Sequence, residues 1–97
     1  MSSESSSAPA ESAQVTSVTG GVAQVFAWEE DARIEVRNLG REVAIEANTA
    51  GLGTLASHLL ILAKDGVPDG SHLHLEDGNG LADGSFGLVL ERCDEED

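Results

Sequence analysis

The sequence predicts a small α+β fold with one mainly antiparallel sheet of four or five strands, in the order β-β-α-β-β. A single helix is expected to pack on one face of this sheet. The chain has 97 residues, which is the length of a single domain with one thin core. Several short segments alternate apolar and polar residues, as half-buried strands do. One longer segment between them has apolar residues at helical spacing.

The chain divides into a tail, one domain and an acidic end. Residues 1–20 are rich in Ser, Ala and Glu and carry little apolar surface, so we expect a disordered tail. Residues 21–93 hold the predicted strands and the helix and form the single α+β domain. Residues 94–97 are acidic and are expected to fray.

Strands are predicted before the helix at residues 33–37 and 42–47, which alternate and form a hairpin. The apolar run 22–28 is a candidate first strand, and whether it forms one is left open. The alternation of the hairpin turns these side chains toward the core: Ile34, Val36, Val43, Ile45 and Ala47.

The helix is predicted over residues 50–64. Asn48 or Thr49 can cap its start, and Gly66 lies where a glycine commonly ends a helix. The apolar positions form one wide stripe that leaves Ile61 on the opposite side. The stripe consists of Leu52, Leu55, Ala56, Leu59, Leu60, Leu62 and Ala63.

Two more strands are predicted after the helix, at residues 72–76 and 86–92. In the first, the two histidines and the glutamate face away from the leucines, so one sheet face stays open and polar. The residues predicted to face the core are Leu73, Leu75, Phe86, Leu88 and Leu90.

Acidic residues dominate the charge of the chain. Eighteen Asp and Glu oppose five Lys and Arg, which gives a formal net charge of −13. Such a surface repels phosphate backbones and anionic membranes, so we predict that neither nucleic acid nor a membrane is a partner. A basic protein would be attracted and would associate faster.

The sequence also predicts the cellular compartment of the protein. Cys93 is the one cysteine of the chain, so no internal disulfide can form. The first residues lack the basic and apolar regions of a signal peptide. The longest apolar stretch, residues 59–63, is too short to span a bilayer. We therefore expect a cytoplasmic protein.

His72 and His74 are the main candidates for metal chemistry. Residues two apart in a strand point the same way, so both imidazoles could bind one ion with Glu76 as the third ligand. His58 belongs to the helix, which packs on the other face, so the pair remains a weak metal site. Cys93 lies among carboxylates that disfavour a thiolate, and no phosphate-binding loop is present. We predict neither an enzyme nor a cofactor.

Three segments together resemble a known family. A Leu/Ala helix opens at Gly51-Leu52, residues 67–76 read VPDGSHLHLE, and Gly80-Leu81 precedes the strand Leu88-Val89-Leu90-Glu91. This pattern, over about residues 33–92, resembles the immunity protein 32 family of bacterial polymorphic toxin systems. The resemblance implies a small α+β protein that protects a cell from a toxin.

We therefore predict a non-catalytic immunity protein whose acidic surface binds and blocks a cognate protein toxin. A basic, nuclease-type toxin fits this charge, because an acidic inhibitor can occupy a nucleic-acid cleft. The alternative is a small ligand- or metal-binding module that uses His72, His74 and Glu76. The residues of the open face and its edge expected to contact the partner are Glu35, Glu42, Glu46, His72, His74, Glu76, Asp77 and Glu91.

Overall fold

The alternating and helical segments fold as short strands around one helix. The structure is a computed structural model and describes residues 14–94. It confirms the α+β class. Its elements are β1 (Gln14–Thr19), β2 (Val22–Ala27), β3 (Ile34–Asn38), β4 (Val43–Ala47), α1 (Thr49–Ala63), β5 (His72–Asp77), β6 (Gly80–Leu81) and β7 (Leu88–Glu91).

In the described part of the chain, the strands form three small sheets where one was predicted. β1 pairs with β2 and β3 with β4, both antiparallel, and β5 lies between β6 and β7. The loop between β6 and β7 is hydrogen-bonded to β3 and so joins the β5–β6–β7 sheet to the β3–β4 hairpin. In it, the Ala82 amide donates to the Ile34 carbonyl at 2.8 Å and the Phe86 amide donates to the Val36 carbonyl at 3.0 Å. Because these hydrogen bonds come from a loop and not from a strand, they do not merge the two sheets into one.

The first strand replaces part of the predicted tail, which ran to residue 20. β1 pairs with β2 over its whole length. Gly20 and Gly21, with φ of 60° and 80°, form the two-residue connection whose twist suits a hairpin. The Ser-rich composition concealed the β-branched residues of this strand. Residues 1–13 of the predicted tail and 95–97 of the predicted acidic end lie outside the described residues.

The core lies where β2, β3, β5 and α1 meet. Ile34 and Val36 of β3 are almost fully buried, as are Leu73 and Leu75 of β5. Alternation predicted all four, because one face of each of these strands is covered. The buried apolar residues are Phe26, Trp28, Ile34, Val36, Leu62, Val67, Leu73, Leu75 and Leu81.

The start of α1 is tied to the strand before it. The Asn48 side-chain oxygen accepts hydrogen bonds from the Gly51 amide at 2.8 Å and from the Arg33 amide at 3.0 Å. It therefore caps the helix and holds β3 beside it. A β-carbon at Gly51 would overlap the Arg33 carbonyl, so a glycine allows the first turn to approach this backbone.

The buried face of α1 differs from the predicted stripe. Leu52, Leu59 and Leu60 are 55%, 50% and 69% exposed, whereas Ile61, predicted on the far side, packs against the core. The helix carries apolar residues on all its sides, so their spacing alone could not identify the buried face. Leu62 of the predicted stripe is buried and Leu55 packs against the core, whereas Ala56 and Ala63 are exposed. The other buried residues of the helix are Gly51, Thr54 and His58.

Two other predictions of burial were wrong. Val43 and Ile45 are exposed, although they share a strand side with Ala47, which packs against the core. Within residues 14–94, β4 pairs only with β3, so its side chains lie at the edge of the sheet, where fewer neighbours cover them. Phe86 is also exposed, because it precedes β7 and strand alternation does not apply to it.

Candidate partner-binding surface

The outward face of the β3–β4 hairpin carries paired charges. Glu35 and Glu46 lie directly opposite each other, on the side away from Ile34. An arginine accompanies each carboxylate: Arg37 donates to Glu46 at 2.8 Å, and Arg33 lies 3.8 Å from Glu35. These pairs relieve the repulsion between two like charges, although exposed ion pairs contribute little to stability.

Glu42 lies at the turn of this hairpin, one residue before β4. Its backbone carbonyl accepts a hydrogen bond from the Leu39 amide at 2.8 Å, so the backbone closes the turn. The Glu42 side chain is exposed to solvent.

The outward face of β5 and β7 holds the two predicted histidines. His72 lies opposite Glu91, and His74 lies opposite Val89. The two imidazoles contact edge to face, with ring centroids 5.1 Å apart. His72 Nδ1 lies 3.0 Å from the Gly70 carbonyl. Because a carbonyl only accepts hydrogen bonds, this contact requires the proton on Nδ1 and leaves Nε2 as the acceptor of the neutral ring.

The eight predicted contact residues separate into two groups, because the β3–β4 and β5–β7 pairs belong to different sheets. Their role in partner binding stays a prediction. The first group is Glu35, Glu42 and Glu46; the second is His72, His74, Glu76, Asp77 and Glu91.

Asp77 differs from the other members because it supports a loop. Its carboxylate accepts a hydrogen bond from the Gly84 amide at 3.2 Å. The adjacent Glu76 exchanges backbone hydrogen bonds with Asn79, at 3.1 and 2.9 Å. These contacts order the connection between β5 and β6, so the Asp77 carboxylate already has a structural partner.

Strand β1 lies beside the histidines, which the sequence analysis missed when it assigned β1 to the tail. A small cavity of about 210 Å³ separates them, lined by Val15, Thr16, Ser17, His72, Leu73, His74 and Asn79. Within residues 14–94, no three His, Cys, Asp or Glu side chains gather so as to hold a metal ion. The metal-binding alternative that uses His72, His74 and Glu76 stays a prediction.

The third histidine belongs to the core. His58 is fully buried, and its ring centroid lies 5.5 Å from that of Phe26 and 4.5 Å from that of Trp28. Neither ring nitrogen has a hydrogen-bond partner among the described residues. Burial lowers the pKa of His58 below its ordinary value, so His58 is a neutral packing group at neutral pH.

A groove between α1 and β7 was not expected from the sequence. Its volume is about 560 Å³, and it is lined by Leu59, Leu62, Ala63, Val89, Leu90, Glu91, Arg92 and Asp94. Leu59 had been assigned to the core, so the prediction left no apolar surface on this side of the helix. The exposed leucines were visible in the sequence, but their direction was not.

Comparison with known proteins gives one match. The family model described as Immunity protein 32 matches residues 42–93. No curated protein and no solved structure matches the chain. Among the described residues, no helix has both the length and the apolar content needed to cross a membrane.

Proposed function

The chain belongs to the Immunity protein 32 family, whose model covers residues 42–93 of its 97 residues, and we propose that it neutralises a cognate protein toxin by binding it. The family match is the observation that carries this proposal. The proposed site of action is the cytoplasm, where the chain would meet a toxin made by or delivered to the cell. Neutralisation by occupation of the toxin needs no catalytic group on this chain.

The charge of the chain supports a basic toxin as the partner. A net charge of −13 attracts a basic cleft and accelerates encounter. A nuclease presents such a cleft because it binds phosphates. An acidic surface that fills this cleft would exclude the nucleic-acid substrate.

The carboxylates differ in how readily they can meet a basic partner. Glu35 and Glu46 already lie beside arginines, so a partner would have to compete with these. Within residues 14–94, Glu42, Glu76 and Glu91 form no ion pair. A basic side chain of the toxin can therefore pair with these three without displacing another cation.

The test uses the toxin domain encoded by the gene next to this one. The first variant reverses three unpaired carboxylates in the proposed surface: Glu42→Lys, Glu76→Lys and Glu91→Lys. The matched control makes the same change in charge at three exposed acidic residues outside that surface: Glu30→Lys, Asp65→Lys and Asp83→Lys.

We expect the first variant to associate roughly tenfold more slowly, with a flatter dependence on salt, as rim charges act mainly on the on-rate. The control should change the association rate less, because it alters only the overall electrostatic field of the protein. Surface plasmon resonance at two salt concentrations measures both. Equal effects of the two variants would place the contact elsewhere on the chain. Failure of the unmodified protein to bind or neutralise the toxin would reject the proposed function.

A further inference from the structure

Strand β7 forms an open edge of the third sheet. Within residues 14–94, it pairs antiparallel with β5 and with no other strand. Just beyond it, the Arg92 amide donates to the Ser71 carbonyl at 2.8 Å. Backbone groups alternate in direction along an antiparallel strand, so those of Val89 and Glu91 point away from β5.

These outward groups have no partner in the described part of the chain, where no backbone hydrogen bond reaches them from another element. An unpaired edge is a template for another strand. Proteins usually protect such an edge with proline, lysine or a bulge. β7 has the sequence LVLE, and Glu91 is its one charged residue.

An apolar groove runs beneath this edge. Leu59 and Ala63 of α1 line one side of it, and Leu90 of β7, which faces the helix, lines the other. Leu59 is half exposed, so this side of the groove has apolar surface that a partner can cover. Side chains of an added strand that point toward the helix would enter this groove, because successive side chains alternate between faces.

The charge at the rim of the groove is negative. Arg92 is already engaged, since its guanidinium donates to the Leu62 and Lys64 carbonyls at 3.1 and 2.8 Å and to Asp94 at 2.9 Å. It therefore caps the end of α1. Glu91 has no such cation and remains available to a partner.

We propose that an extended segment of the toxin adds as a strand to the free edge of β7. The segment alternates apolar residues, which fill the groove against α1, with basic residues, which meet Glu91. Its backbone pairs with the outward groups of Val89 and Glu91, as in other strand-addition complexes. This inference rests on the proposed function and specifies how the toxin is held.

Charge and composition disfavour two other occupants. A second copy of the chain would bring its own Glu91 to the same edge, and like charges on adjacent strands are destabilising. Residues 1–13 of this chain contain two glutamates and no lysine or arginine, and Met1 is their one large apolar residue. Neither supplies the alternating basic and apolar side chains that the groove and its rim would bind.

The first test blocks the edge. Val89→Pro removes an amide that points outward and leaves the hydrogen bonds to β5 in place, which edge strands tolerate. Ile45→Pro is the matched control. The Leu39–Glu42 and Asn48–Arg33 hydrogen bonds show which residues of the hairpin bond across it, and by alternation the Ile45 amide points away from β3. We expect Val89→Pro to weaken toxin binding about tenfold or more, and Ile45→Pro to leave it unchanged.

The second test alters the groove without touching the backbone. Leu59→Asp places a charge on the apolar wall, whereas Leu52→Asp makes the same change seven residues earlier, outside the groove. Both leucines are about half exposed, so both variants should fold. Leu59→Asp is expected to weaken binding of the neighbouring toxin domain about tenfold, and Leu52→Asp to have no effect.

Amide hydrogen exchange of the complex gives an independent measurement. The Val89 and Glu91 amides should exchange fast in the free protein and slowly in the complex, because strand addition protects them. The outward amide of Ile45 should stay fast. If Val89→Pro and Leu59→Asp both neutralise the toxin normally and these amides remain fast, the inference fails while the proposed function stands. A toxin that the unmodified protein does not bind at all would overturn both.

Discussion

The two sides of α1 both carry large apolar residues, and they differ in how those residues are covered. The side facing the core presents Gly51, Thr54, His58 and Leu62, with Leu55 and Ile61 partly buried beside them, whereas the side facing solvent presents Leu52, Leu59 and Leu60. Apolar character alone therefore does not decide which side of this helix is buried. The leucines left outside form surface that another molecule can cover.

Each unusual residue on the inner side has a specific reason to be there. Thr54 accepts a hydrogen bond from the Glu29 amide at 2.9 Å, so its hydroxyl is satisfied although it is buried. His58 packs edge to face with Phe26 and Trp28, an arrangement favoured by aromatic rings. Larger apolar residues at these positions would lose such contacts.

The largest effect is expected from truncating the one leucine of the inner side that is almost fully buried. Leu62→Ala should lower the free energy of unfolding by about 2–5 kcal/mol, from lost burial and the cavity left behind. Leu59→Ala, on the outer side, should cost less than about 1 kcal/mol because Leu59 is half exposed. Urea titration followed by circular dichroism measures both. Equal losses for the two variants would mean that the outer leucines also support the fold.

A smaller effect is expected at the glycines of the first helical turns. Gly51→Ala should destabilise by about 1–3 kcal/mol, because the new methyl group meets the Arg33 carbonyl and the backbone must move. Gly53→Ala meets only the end of the flexible Glu29 side chain. It should be neutral or stabilising by up to about 1 kcal/mol through helix propensity. Thermal unfolding of both variants checks the difference, and destabilisation by Gly53→Ala would show that the outer side is also closely packed.

The smallest effect concerns pH. Burial lowers the pKa of folded His58 below the unfolded value of 6.5. Above pH 6.5 neither state binds the proton, so His58 adds no pH dependence there. As the pH falls below 6.5, the unfolded state binds a proton that the folded state does not, and stability decreases. This loss continues down to the lower pKa of the folded state.

His58→Phe should reduce this loss of melting temperature between neutral and mildly acidic pH. The control is Leu60→Phe, which adds the same side chain at an exposed helix position without changing a titratable group and should keep the pH dependence of the unmodified protein. Melting curves of the three proteins, recorded at the same ionic strength, make the comparison. Identical pH dependence in His58→Phe and the unmodified protein would show that carboxylates alone cause the acid sensitivity.

Much of the fold was predictable where a segment has one covered face. The helix was expected at residues 50–64 and forms at Thr49–Ala63, and Leu73 and Leu75 face the core as alternation predicts. The prediction failed where the pattern was ambiguous. Apolar residues on all sides of α1 gave no direction, and the composition of residues 1–20 concealed β1.

The candidate surface was predictable only within single hairpins. Alternation places Glu35 and Glu46 on one face, and the register puts them opposite each other. It could not join them to His72, because strand order depends on contacts between distant segments. The groove beneath β7 was unpredictable for the same reason, since it requires both the direction of Leu59 and the edge position of β7.

The single tryptophan provides a spectroscopic reporter of this core. The chain has one Trp and no Tyr, so its fluorescence arises almost entirely from Trp28, which is buried and donates a hydrogen bond to the Gly80 carbonyl at 3.1 Å. Unfolding moves this indole into water and should shift its emission to longer wavelength. The His58 ring lies 4.5 Å away, close enough for its protonated form to quench the indole. The emission wavelength and intensity can therefore distinguish unfolding from protonation of His58 within the folded protein.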